Sequence, residues 1–548
     1  MGATSRKAII IFIIAFITAV LMLLGAWRIN TTSLLNKNNF NPTTQAPIMN
    51  SFSSEVSDIY YVITDSGHEG IIFSNKVDGY SVLLPDTMKV TETEFADYRM
   101  VLEDNLKRIE IYRQPISEED LSADTYISYS NGFLKNTEDH KLEFQEYMEV
   151  NGYKVVFTQW SRDKVLNIEN DKNHYACIDI ITKDNVYTFL IKSQIRLEDS
   201  LNCAKLIESF NTFTPSVIPA SIKFFQTETE TWDAETAAFY DRYFKEGQLI
   251  WGIFNNTAPK EMNELKKIET AIDYKFKFLL IYKHVLDVFP AGYVRNDLER
   301  AYLDGRTVEL TLQTPTQNEG ESNMVYDILD GKYDHFLYSF AEETAQFEHP
   351  VLFRLCNEMN GEWCSYSGYH TSRDPEIFKE LYRYVYKIFN DVNADNVIWV
   401  WNPNELSFPD FKWNNELLYY PGDEYVDVIG LTGYNTGTYY EGEKWRTFSE
   451  IYDPLYKKFD RISEKPLMIT EFASSSVGGN KKEWVNDMFL NIGKYPLIKV
   501  AIWWHGCDWD SEGNIARPYF INESPDLLDV FKVHLNRSVF SRSLTEPQ

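Results

Sequence analysis

The stretch "VLFRLCNEMNGEW", Val351 to Trp363, decides how this chain folds. An apolar run of strand length stops at Asn357-Glu358 and then turns through Asn360-Gly361. A buried strand that delivers one carboxylate to its carboxyl end reads this way, and so does an ordinary strand closed by a turn. The flanking sequence separates the two. Further apolar runs occur at "QLIWGIFNN" (Gln248 to Asn256), "KFLLIYKHV" (Lys277 to Val285), "TVELTLQTP" (Thr307 to Pro315) and "NVIWVWNPN" (Asn396 to Asn404). They continue at "YVDVIGLTGYN" (Tyr425 to Asn435), "PLMITEFAS" (Pro466 to Ser474) and "IKVAIWWHG" (Ile498 to Gly506). Helical patterns such as "DPEIFKELYRYVYKIFNDV" lie between them. Eight buried strands alternating with helices over roughly 300 residues have the size and period of a (β/α)8 barrel, an α/β fold. An open doubly wound sheet is the alternative. It would bring a glycine-rich phosphate loop after its first strand, and "WGIFNNTAPKE" is not one.

In a (β/α)8 barrel the chemistry sits at the carboxyl ends of the strands. Glu358 ends the fourth run and Glu471 the seventh, so the two can face one another across the mouth. Glycoside hydrolysis needs such a pair: one carboxyl protonates the leaving oxygen, and the other attacks the anomeric carbon or activates water. Two glutamates alone are weak evidence in a chain with 81 acidic residues, where either one reads equally well as a solvated loop carboxylate.

The residues around them add information. "RLCNEMNGEW", followed by "VIWVWNPNE", "VDVIGLTGYN" and "PLMITEFAS", resembles glycoside hydrolase family 26, a clan A family known chiefly for β-mannanases. The resemblance runs on through "ILDGKYDHFLYSFAEE" and "INESPDLLDVFK" and covers Trp232 to Val533. It implies a TIM barrel and a retaining double displacement, with Glu358 as acid/base and Glu471 as nucleophile. Tyr434 is placed like the tyrosine that donates to the nucleophile. Trp503 or Trp504 would offer a flat face to the sugar at the cleaved position while the other packs in the core. Trp363 and Trp401 either flank the site or belong to the core. One departure matters: family 26 mannanases usually carry His immediately before the acid/base, and here that residue is Asn357. Asn is the general clan A choice, its amide meeting the sugar 2-hydroxyl. A β-glucan, a mixed-linkage glucan or an exopolysaccharide therefore stands beside β-mannan as substrate. Arg354 is open to two readings, a group that fixes the carboxylates and a structural ion pair. A lone His such as His505 is more often structural and stays outside the catalytic set. With no metal cluster, phosphate loop or Ser-His-Asp elbow in the sequence, no cofactor or metal is expected.

Within the 548 residues, hydrophobic content of 44% and aromatic content of 15% exclude a mostly disordered chain. A formal charge of -28, with no Lys/Arg cluster, argues against nucleic acid as a partner. Cys177, Cys203, Cys356, Cys364 and Cys507 have no zinc-like spacing and read as small buried side chains, with one disulfide left open. Ala8 to Trp27 is apolar and uncharged, long enough to cross a bilayer, and Arg6 and Lys7 before it favour a cytoplasmic amino terminus. An uncleaved anchor with everything after it extracytoplasmic is expected over residues 1–28, a cleaved signal peptide being the competing reading. Residues 29–53 read as a flexible stalk. Residues 54–215 read as an α+β module of short strands closed by a helix, with a loose resemblance to the PsbP/Mog1-like fold, serving as a spacer or binding module. The barrel occupies 220–540. The expected activity is endo-acting hydrolysis of a β-linked polysaccharide. A barrel that binds polysaccharide without cutting it, and a transglycosylase that remodels exopolysaccharide, are the alternatives. Oligomeric state is left open.

Overall fold

The computed structural model describes residues 55–117, 119–197, 202–219, 225–227, 231–316 and 320–537. The anchor and stalk expected before residue 54 lie outside the described residues, and among those described no helix is long and apolar enough to cross a membrane.

Eight parallel strands close into a barrel: Ile250–Asn255, Phe278–His284, Thr307–Gln313, Val351–Leu355, Val397–Trp401, Val428–Thr432, Leu467–Phe472 and Ile498–His505. The last pairs with the first, Val500 opposite Ile250. Strands four, five and six are buried at every position, as expected where helices cover the outer face and side chains fill the inner one. Alternation sorts the two faces. Phe278, Leu280, Leu352, Ile398, Val400, Val428, Met468, Val500 and Ile502 fill the interior. Tyr240, Tyr243 and Phe244, from the helix Ala234–Tyr240 and the π-helical turn Asp241–Lys245 that precede strand one, join that interior cluster, with Tyr243 edge-on to Phe278 at the start of strand two.

The outer helices start where local chemistry says they should. Asp374 caps the helix Pro375–Asp391 by accepting from the Glu376 N–H, with Pro375 at the first turn, where its missing N–H costs nothing. Thr447 and Glu450 form a reciprocal capping box on Phe448–Ile462. The barrel's one irregular crossover among the described residues follows strand five. There three 3-10 turns, Lys412–Asn414, Glu416–Tyr419 and Asp423–Tyr425, stand in place of an α-helix.

The amino-terminal module consists of two antiparallel sheets. The smaller orders Glu55–Ser57, Tyr61–Asp65, Ile71–Asn75, Tyr80–Leu84 and Asn211–Thr212. The larger orders Lys89–Glu92, Arg99–Glu103, Lys107–Pro115, Asn185–Ser193, His174–Ile181, Tyr153–Ser161 and Lys141–Val150. Period two again decides what each face touches. Ala176 and Ile178 point into the module's own core, together with the helix Cys203–Ser209, whereas Tyr175 and Cys177 belong to the cluster that continues into the barrel. A sheet buried on both faces explains why "ACIDII" and "VYTFLI" read as continuous apolar runs. The module is therefore packed onto the barrel and is no detached spacer. All five cysteines are free thiols, and four of them are buried.

Candidate active site

Strand four ends at Leu355, and the chain then departs from extended geometry twice: Cys356 and Glu358 both adopt left-handed φ, 50° and 56°. Such a conformation costs a non-glycine residue on the order of 1 kcal/mol or more, and it persists only where neighbours hold it. Here the Cys356 N–H donates to the Leu312 carbonyl at 2.9 Å and the Glu358 N–H to the Asn402 carbonyl at 2.7 Å. The kinked chain thus presents the Glu358 carboxyl at the barrel mouth, half-buried, with Asn404 Nδ2 donating to it at 2.5 Å. Burial, followed by the negative charge of Glu471, pushes the Glu358 carboxyl up to about 7, against smaller opposing contributions from Asn404, Arg354 and Trp363.

Glu471 reaches the same space by a different device. Along strand seven Met468 points inward and Ile469 outward, so strict alternation would turn Glu471 away from the interior. The pairing with both neighbouring strands shifts register at this point, between Leu431 and Thr432 on one side and between Ile469 and Phe472 on the other. The irregularity re-aims the carboxylate into the mouth. There it accepts from the Tyr282 hydroxyl and, at 3.2 Å, from Asn357 Nδ2, and Arg354 stands 3.6 Å away.

These groups rest on a buried polar layer. Arg354 donates to Thr311 Oγ1 at 2.8 Å and to Asn402 Oδ1 at 2.9 Å, and it pairs with Glu309 at 3.1 Å. Its guanidinium also lies over the Tyr282 ring, 5.5 Å from the centroid. Burial raises the Glu309 carboxyl to about 8 despite Arg354, with Glu471 adding to the rise. Asn357 is oriented by Gln313, whose Nε2 donates to Asn357 Oδ1 at 2.6 Å; this directs the Asn357 NH2 at Glu471.

The aromatic residues singled out in the sequence separate by parity. Trp504 shares the inward face of strand eight with Val500 and Ile502, stacks on Phe254 at 5.1 Å and stands 6.3 Å from Tyr434. Trp503, one residue earlier, points outward, packs on Phe531 at 5.1 Å and donates to the Tyr519 carbonyl at 2.8 Å, so it forms part of the core and not of a sugar site. Trp401 is likewise outward on strand five, fully buried against Tyr420, Phe459 and Phe225, and cannot flank a cleft. Trp363 is 50% exposed at the rim, tilted against Phe408. The tyrosine bonded to Glu471 is Tyr282 of strand two, not Tyr434; Tyr434 stands two residues past strand six, against Tyr519 at 5.3 Å, where burial and then the charge of Glu471 push its hydroxyl up. His505 accepts the Ile521 N–H at 3.1 Å, a structural bond. Sequence reading missed Tyr282, Gln313, Glu309, Thr311, Asn402 and Asn404. Phe278, Leu280 and Tyr282 share one parity, as do Glu309, Thr311 and Gln313, and that inward phase was the available signal.

Comparison with known proteins bears on the same region. Residues 313–476 match the model of Glycosyl hydrolase family 26. Endoglucanase H of Acetivibrio thermocellus is 30% identical over 245 residues, 44% of this chain and 25% of that protein. Mannan endo-1,4-beta-mannosidase of Bacillus subtilis is 27% identical over 230 residues, 40% of this chain and 52% of that protein. Among solved structures, that of a Bacillus subtilis mannanase aligns over 51% of this chain and 89% of its own, with 21% identity and a TM-score of 0.38. The chain thus spans a quarter to about half the length of the two curated relatives.

Proposed function

We propose, from a barrel that belongs to glycosyl hydrolase family 26, that this protein is a retaining, endo-acting hydrolase of a β-linked polysaccharide. The observation that carries the reading is the contrast between two carboxyls in one mouth. Glu358 is held up to about 7 by burial and by Glu471, whereas Glu471 is gripped by Tyr282, Asn357 and Arg354. Glu358 keeps its proton until the glycosidic oxygen takes it, and Glu471 attacks the anomeric carbon to form a glycosyl ester. Esterification removes the negative charge that helped raise Glu358, so its proton affinity falls just when it has to accept a proton from the incoming water. Asn357, already oriented by Gln313, supplies an amide to the 2-hydroxyl of the sugar, and Trp504 supplies a flat face for the ring.

Endo action is supported by exposed aromatic faces beyond both sides of the mouth. Trp363 and Phe408 follow strands four and five, and Tyr439, Tyr440 and Trp509 follow strands six and eight. The substrate is β-mannan, a β-glucan or an exopolysaccharide, and the Asn357 amide is the residue whose contact with the 2-hydroxyl distinguishes them. The apolar segment Ala8 to Trp27 after Arg6 and Lys7 supports a single-pass anchor with the barrel outside the cytoplasm.

The test is hydrolysis of mannan, glucomannan, mixed-linkage β-glucan and xylan by the full chain, with Glu358→Ala and Glu471→Ala beside it. One polymer cut by the wild type alone, with retained anomeric configuration, is the expected result. A polymer bound but never cut would replace hydrolysis by a binding role, and products longer than the substrate would replace it by transglycosylation.

A further inference from the structure

The segment from Cys356 to Asp374 carries Glu358 near its start and ends by capping the helix Pro375–Asp391, and the amino-terminal module holds it from Glu362 to Asp374. At its outgoing end Asp374 accepts from Lys192 Nζ at 2.5 Å and from the Tyr175 hydroxyl at 3.2 Å. Ser372 and Arg373, both left-handed and fully buried, meet the Trp160 indole N–H at 3.3 Å and Asn131 Oδ1 at 3.3 Å. Further in, Gly132 lies so close to Tyr369 that a Cβ there would stand 2.7 Å from the Tyr369 hydroxyl oxygen. The innermost contact is made by Tyr129, from the module helix Ala123–Ser130. Its ring lies 5.3 Å from Tyr369 and 6.0 Å from Phe411, and its hydroxyl donates to the Glu362 carboxylate. Burial and then the bond to Glu362 push the Tyr129 hydroxyl up, so it remains a donor at neutral pH. His370 Nε2 meets the Glu362 carbonyl at 2.6 Å and secures the same residue from the other side.

Glu362 adjoins Trp363, and Trp363 is the exposed aromatic that lies beside Glu358. An acid protonates the oxygen of the departing sugar, so the face next to the acid is the leaving-group face of the cleft. An aromatic platform there contributes most when it is already in place before the sugar arrives. We propose that Tyr129 is a positioning residue for that face: the module clamps Glu362, and through it holds Trp363 ready for the leaving sugar. The amino-terminal module is thereby part of the leaving-group side of the cleft. The leaving-group assignment rests on the hydrolase reading above, whereas the clamp rests on the contacts alone.

Tyr129→Phe, Glu362→Gln and the double variant in the full chain test it with three measurements. These are hydrogen exchange over residues 359–371, kcat/KM on the polymer the wild type cuts, and kcat/KM on a 2,4-dinitrophenyl β-glycoside of the same sugar. The aryl substrate has no leaving sugar and a leaving group that needs no acid. Expected are faster exchange over 359–371 in Tyr129→Phe, a loss of about tenfold on the polymer, the size of one hydrogen bond to a charged group, and an unchanged aryl glycoside rate. The double variant should be no worse than the worse single one, because both remove the same bond. Unchanged exchange, an unchanged polymer rate, or equal losses on both substrates would overturn the proposal. Faster exchange in a protein whose wild type cuts no polymer would uphold the clamp and sink the hydrolase reading instead.

Discussion

Two buried clusters of charge in this molecule are built on opposite principles. At the barrel mouth three glutamates, Glu309, Glu358 and Glu471, surround a single guanidinium, that of Arg354. Where the module meets the barrel, Arg99, Arg108, Lys192 and Lys379 face Glu92, Glu110, Glu376 and Asp374. The chemical outcome follows from the balance. At the mouth, burial of uncompensated acid lifts Glu309 to about 8 and Glu358 to about 7. At the interface burial also opposes the charges, but Lys192, Arg99 and Arg108 outweigh it and hold Glu110 well below the usual carboxylate range, and Lys379, Arg108 and Arg99 do the same for Glu376. A short supply of cations keeps a proton where it can be used, and an even supply locks two domains together.

The comparison can be broken at either end. The largest effect is expected at the mouth: Glu471→Ala should lower kcat/KM on the polymer by about 10⁴-fold or more. Glu358→Ala should cost about 10² to 10⁴-fold on the polymer and much less on an activated aryl glycoside, which separates acid catalysis from misfolding. At the interface, Lys192→Met leaves Glu110 and Asp374 buried without their shared cation. Denaturant unfolding should then show a loss of about 3 to 5 kcal/mol, and a loss under 1 kcal/mol would mean that water screens the cluster.

Smaller and opposite pH effects should sharpen the contrast. A carboxyl raised from 4.5 to about 7 on folding contributes stability that is fully present below 4.5 and is lost as pH rises through 7. Glu358→Gln should therefore match the wild type at pH 4 and melt higher at pH 8, by on the order of 1 to 3 kcal/mol. The activity of the wild type should fall as pH rises above about 7. Glu110 and Glu376 have the reverse sign: their contribution is complete above 4.5 and is lost as pH falls below it. Hydrogen exchange at pH 3 should show the strand Lys107–Pro115 and the start of the helix Pro375–Asp391 loosening before the barrel interior does. Simultaneous loosening of both regions would show that the interface has no acid sensitivity of its own.

Much of this architecture is legible in the sequence. Eight apolar runs at barrel spacing became eight parallel strands, and the residues that end the fourth and seventh runs stand at the mouth. The tryptophan pattern leaves alternatives open that phase decides. Val500 and Ile502 are inward, so Trp504 had to be the cleft residue and Trp503 the core residue; Ile398 and Val400 condemn Trp401 to the outer core in the same way. Tyr282 was overlooked because it closes the apolar run "FLLIY" and reads as one more core aromatic unless its inward parity with Phe278 and Leu280 is followed.

By itself, the sequence determined what short-range physics controls: the strand and helix periods, the capping residues Asp374 and Thr447, and which strand ends carry carboxylates. Only the tertiary structure decided the rest. Parity alone sends Glu471 outward, and a register shift against both neighbouring strands turns it in. Which tyrosine reaches it, and that a helix from a separate module grips the segment carrying Glu358, depend on contacts between residues more than a hundred positions apart. Local pattern does not encode such pairings, because the free energy that selects them comes from burying both partners at once.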